Sequence, residues 1–148
     1  MKRLKAHLNP SAKLPLWHRL GLTVTLFVTW GTGTVLLWAR YFGRKDGPFG
    51  PENHWAESPT RAIHGGMVLV CLLAFGSLVP THFRAGWLKG TRQTSALTMV
   101  TTTLILILTG WGLYYVGGDS LRQGLSFTHS GLGLLLLPLF FIHSRRRP

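Results

Sequence analysis

Four apolar stretches, each about the length of a bilayer crossing, constrain this chain more than any other feature. They run over residues 20–38, 62–81, 95–116 and 125–142, and a helix of about 20 residues spans a hydrocarbon core of about 30 Å. A backbone deprived of water must satisfy its own N–H and C=O groups, which makes the α-helix the spanning element for runs of this length. The chain therefore reads as an all-α, integral membrane four-helix bundle. With 148 residues, 46% of them hydrophobic and 14% charged, it forms a single membrane domain over 1–148 with no length left for a second folded unit. A signal peptide competes for the first stretch, but no small-residue cleavage site follows it and the run continues into Trp38, Arg40 and Tyr41. It is taken as a retained helix.

The charges set the topology. The sequence holds 16 Lys and Arg against 4 Asp and Glu, a formal net charge of +12. These cations stand at the ends of apolar runs rather than in a stripe interleaved with aromatics, so nucleic acid is not the expected partner. Lys2, Arg3, Lys5, Lys13, Arg19, Arg84, Lys89, Arg92, Arg145, Arg146 and Arg147 all fall on one side of the bundle, and Asp46, Glu52, Glu57 and Asp119 all fall on the other. The positive-inside rule makes the first side cytoplasmic, with both termini on it. This is the pattern of a multi-pass protein of a bacterial inner membrane, with the lead 1–17, broken by Pro10 and Pro15, lying on anionic lipid.

The connections order the helices. Residues 41–61 carry Pro48, Gly50, Pro51 and Pro59 and read as a compact irregular lid, with Pro59 at a helix start and Ser58 or Thr60 as caps. The links at 83–94 and 117–124 are short, so neighbouring helices run antiparallel and the second and fourth run parallel.

Histidines then mark both ends of that parallel pair. His64 and His82 bracket the second run, and His129 and His143 bracket the fourth. At about 100° per residue, a separation of 18 makes five revolutions and one of 14 falls about 40° short of four, so each pair shares a helix face. His64 and His129 lie at the outer level, His82 and His143 at the inner one. Facing imidazoles at two membrane depths suit two b-type haems, each iron bound by two histidines. Cys71 is the only cysteine and no Cys-x-x-Cys-His motif is present, which argues against covalent haem; Cys71 reads as a small packing residue.

The inner partner stays open between two residues. A rise of about 1.5 Å per residue separates His129 from His143 by about 21 Å but His64 from His82 by about 27 Å, a mismatch of about one turn. His18, at the inner start of the first span, stands near the level of His143, and Gly76, Ser77 and Leu78 leave room beside it. His18 is therefore favoured over His82 as the inner ligand, while a bend at Pro80 is the route by which His82 could reach. His7 and His54 read as solvated, with His54 also able to lie over the outer site. The six tryptophans read mainly as interfacial anchors, with Trp30 and Trp111 open to a deeper place, and Arg61, Arg84 and Arg19 as partners of haem propionates or lipid headgroups.

The sequence Leu16-Trp17-His18-Arg19 opening the first span, Thr32-Gly33 farther along it, Thr109-Gly110 in the third span and the His129 to His143 spacing resemble the four-helix b-type cytochrome superfamily. That group includes the gamma subunits of formate dehydrogenase and the cytochrome b subunits of membrane hydrogenases, and the resemblance covers most of the chain. It implies an outer haem held by His64 and His129 and an inner haem held by His18 and His143. His82, in Thr81-His82-Phe83-Arg84, has no place in that scheme, and the segments by which larger members clasp a catalytic subunit are missing.

The expected function is electron transfer across the membrane by two b haems, between a quinone/quinol pool and a periplasmic c-type cytochrome or reductase subunit. Bis-histidine ligation leaves no open coordination position, so the chain is expected to be an electron-transfer subunit of an oxidoreductase rather than a stand-alone enzyme. The alternative from another class is a haem-free accessory or scaffold subunit whose histidines only pack. A histidine-based metal transporter is disfavoured, because the spans lack carboxylates and the histidines stand at two ends rather than at one midplane site.

Overall fold

The computed structural model describes residues 14–90 and 93–145. The basic lead at 1–13 with His7, together with Arg92, Arg146 and Arg147, lies outside them. Eight elements follow in order: α1 (Leu16–Tyr41), β1 (Lys45–Gly47), β2 (Gly50–Glu52), α2 (Glu57–Gly76), a π-turn (Val79–Phe83), a short α3 (Arg84–Leu88), α4 (Gln93–Tyr115) and α5 (Asp119–Arg145). Among the described residues four helical segments are long and apolar enough to cross a membrane: α1, the composite Glu57–Leu88, α4 and α5.

Their outward faces carry large apolar side chains such as Val24, Leu69, Leu73, Leu104, Leu108 and Leu135, all exposed, which suits an apolar solvent and not water. Hydroxyls on these helices are satisfied locally. Thr23, Thr25, Thr29, Thr32 and Thr34 each donate to the carbonyl four residues back at 2.8–2.9 Å, so a threonine-rich helix leaves no hydroxyl hydrogen unsatisfied on this face.

The helices are longer than hydropathy alone marks. α5 begins at Asp119 rather than near 125, because a polar turn with an acid at its N-terminus is a good helix start whether or not it is apolar. The lid is shorter and more ordered than expected. β1 pairs antiparallel with β2 through Lys45↔Glu52 and Gly47↔Gly50, and Gly50 takes a φ of 115° to close the turn. α2 starts at Glu57 with neither Ser58 nor Thr60 as cap, and Pro59 sits in the first turn, where its missing N–H has no helical partner to lose.

α1 packs along α2, α4 packs along α5, and α1 also touches α5, while α2 and α5 share no comparable backbone contact. The core lies where these pairs meet: Leu26, Cys71, Leu136 and Leu137 are buried, with Trp30, Phe75, Met99, Leu106, Phe140 and Phe141 against them. Cys71 is a buried packing residue. Pro138 lies inside α5 and cannot donate to the carbonyl of Leu134. That carbonyl accepts instead from the indole Nε1–H of Trp30 on α1 at 3.2 Å. Trp30 is thus an interhelical tie, in keeping with the deeper place its position in the span allows.

Candidate functional site

Two histidine pairs face each other across the space between α2 and α5. At the end of the bundle carrying the β-hairpin, His64 and His129 stand with ring centroids 6.5 Å apart and planes at 82°. At the opposite end, His82 and His143 stand 6.1 Å apart at 80°. Because 64 pairs with 129 and 82 with 143, the composite second span and α5 run in the same direction.

The first pair is held from behind by matching features on α1 and α4. The Nδ1 of His64 is 3.0 Å from Thr32 Oγ1 and 3.1 Å from the Thr29 carbonyl. Since Thr32 Oγ1 already gives its hydrogen to Val28 O at 2.8 Å, it accepts here, and His64 is the Nδ1–H donor. On α4, Thr109 Oγ1 donates to Ile105 O at 2.7 Å and lies 3.0 Å from His129 Nδ1, which assigns the same tautomer. Both Nε2 atoms are then unprotonated, with their lone pairs available. A glycine follows each threonine: a Cβ on Gly33 would stand 3.1 Å from His64 Cε1, and one on Gly110 would stand 3.1 Å from His129 Cε1. The two Thr-Gly dipeptides are a seat for an imidazole, the threonine fixing its tautomer and the glycine its depth. The sequence marks both dipeptides, but not this role, because nothing along the chain ties position 32 to 64.

The second pair departs from the favoured expectation. His82 faces His143, whereas His18 lies against α2, its Nε2 3.0 Å from Ser77 Oγ and its ring stacked on Trp17. Ser77 Oγ donates to Ala74 O at 2.7 Å, so it accepts from His18, whose Nε2 is occupied. The reason is the helix break below Gly76. Pro80 has no N–H, the chain rewinds as a π-turn over Val79–Phe83, and Phe83 N–H donates five residues back to Leu78 O at 2.9 Å. A π-turn puts more residues into each turn than an α-helix, which takes up part of the surplus of 18 residues over 14, and the two rings meet at 6.1 Å. His143 is backed by Ser95 Oγ, 2.9 Å from its Nδ1, a third hydroxyl support.

The remaining expected residues fall elsewhere. His54 is half-buried, accepting from Ala56 N–H at 3.2 Å and resting edge-on against Trp38, where it pins the lid to the end of α1. Arg61 pairs with Glu57 one turn away, and Arg145 lies over the Phe141 ring. Among the described residues no three His, Cys, Asp or Glu side chains cluster as a metal site, so each histidine pair offers two donors.

Comparison with family models, with curated proteins and with solved structures returns no match.

Proposed function

We propose that this chain is a di-haem b-type cytochrome that passes electrons across a membrane between a quinone/quinol pool and a redox partner at the hairpin end. The observation that carries the reading is the facing of imidazoles at two levels. Two imidazoles that both bound one metal through Nε2, at bonds of about 2 Å, would stand about 6 Å centre to centre. The pairs measure 6.5 and 6.1 Å. Edge-to-face rings also pack at such distances, so the support lies in the recurrence of a facing pair at both levels and in the Nδ1 contacts of His64 and His129, which leave their Nε2 atoms available to bind.

Two donors per site favour a macrocycle over a bare ion, since the macrocycle brings the other four ligands. A b-type haem supplies one-electron transfer when bound. The protein's part is to orient and tune: Thr32 and Thr109 hold the Nδ1–H of His64 and His129, which raises the basicity of Nε2 and fixes ring orientation. Gly33 and Gly110 set how deep each ring sits. His82 and His143 do the same work at the second level, about 21 Å along α5 from the first. Inner-membrane placement with both termini cytoplasmic follows from the charge pattern.

The test is the redox spectrum and haem content of purified protein made with ample haem. The expected result is two extractable haems per chain and a reduced b-type α band. If His64 with His129 and His82 with His143 held a haem iron with their rings at 82° and 80°, the oxidised protein would also give strongly anisotropic low-spin resonance at both sites. A haem content near zero overturns the reading and leaves the scaffold alternative.

A further inference from the structure

The hairpin end carries a second feature that the histidine pairs do not use. Arg40 and Tyr41 at the end of α1, Arg44 in the loop after it, and Asp119, Arg122, Gln123 and Ser126 on the first two turns of α5 line an open cleft of about 280 Å³. Its floor is tied by Tyr41 Oη to Ser126 Oγ at 3.4 Å, and Ser126 is buried. Three arginines and one aspartate thus line one depression. Among the described residues the only ion pair is Glu57 with Arg61, so Arg40, Arg44 and Arg122 share the cleft with Asp119 without any of them pairing to it.

We infer that this cleft binds a phosphate-class oxyanion. Among the described residues the cations at the hairpin end are Arg40, Arg44, Lys45, Arg61 and Arg122, and three of them line this one cleft from positions about 80 residues apart. Like charges brought together in a depression repel unless an anion occupies the space between them. All three are arginines, whose planar forks match phosphate oxygens in pairs, where lysines offer only point charges. The start of α5 adds backbone N–H groups and a positive helix end on the same side. The volume is too large for a bare ion and suits an oxyanion with a few attached atoms. Placed where the spans end, the cleft is reached both by a lipid headgroup and by a soluble phosphate.

The two sources are separated by one experiment on the purified full chain. Inorganic phosphate is titrated in detergent at constant ionic strength, and thermal unfolding is then compared in nanodiscs of phosphatidylcholine with and without phosphatidylglycerol. Wild-type protein should be stabilised by one or both, and Arg40→Gln with Arg122→Gln should weaken the apparent affinity by roughly tenfold or more. Arg44→Gln, in a loop and outside helix packing, should weaken it in the same direction and guards against a folding defect in the double variant. Lys45→Gln, which removes a charge from the hairpin and does not line the cleft, should bind as wild type. A variant-sensitive response to phosphate assigns a soluble ligand, and one confined to phosphatidylglycerol assigns the lipid. No response to either, or an equal loss in Lys45→Gln, overturns the inference.

Discussion

The two histidine levels reach nearly the same ring geometry by different means. At the hairpin end, His64 and His129 sit on unbroken stretches of α2 and α5, and each is seated by a Thr-Gly dipeptide on the neighbouring helix. At the other end, His143 is on regular helix but His82 is inside a π-turn that follows a helix break. One level is built from packing, which depends on side chains from all four long helices. The other combines Ser95 behind His143 with a backbone irregularity at Pro80 that brings in His82. They should therefore respond differently to the same kind of substitution.

The largest expected effect is at the first level. His64→Ala or His129→Ala should remove one haem of two, halving haem content while leaving the other spectrum in place. Losing both haems from either substitution would show that the levels are not independent. Full retention in both variants would break the pairing.

Next in size is the choice at the second level. His82→Ala should remove the second haem, and His18→Ala should leave it, changing at most its stability through the lost contact with Ser77. Measured haem content in the two variants side by side decides the matter, and loss only in His18→Ala would restore the family-like pairing of His18 with His143.

The reason His18 looked better from sequence lies in an assumption of constant rise. Counting 1.5 Å for every residue makes 18 residues longer than 14 by about a turn, and no count along the chain shows where a helix changes its winding. Pro80 is visible as a bend, but not as a π-turn. By contrast the four long apolar helices were legible, because hydropathy marks runs of that length directly, and so was the facing of His64 with His129, since neither helix is interrupted near those residues. The start of α5 at Asp119 was not legible from hydropathy, which is silent on polar helix turns. The arginine cleft was hidden for a simpler reason: Arg40 and Arg122 approach only after α1 and α5 have packed.

A smaller effect is expected from the seats themselves. Gly110→Ala places a Cβ 3.1 Å from His129 Cε1, so the ring must shift by a few tenths of an ångström. Thr109→Val removes the acceptor for Nδ1–H while keeping shape. Each should lower haem affinity at the first level by about 10–100-fold, the range for lost partners of a metal-bound histidine, without touching the second. Affinity is read by competition with apomyoglobin for haem. Equal loss at both levels would mean that α4 acts on the whole bundle and not through His129.

The smallest effect, and the sharpest comparison, is Pro80→Ala. Restoring an N–H at position 80 allows a bond to the carbonyl of Gly76 and lets the chain continue as ordinary α-helix. His82 would then swing about the axis and move slightly farther along it, by the small part of the rise that the π-turn now absorbs. Haem at the second level should be retained but with a shifted midpoint potential and altered resonance anisotropy, because the ring planes leave their 80° relation. The first level, two turns or more from any change, should keep both its potential and its spectrum. A potential that moves at the first level instead, or at neither, would show that backbone winding at Pro80 is not what brings His82 to His143.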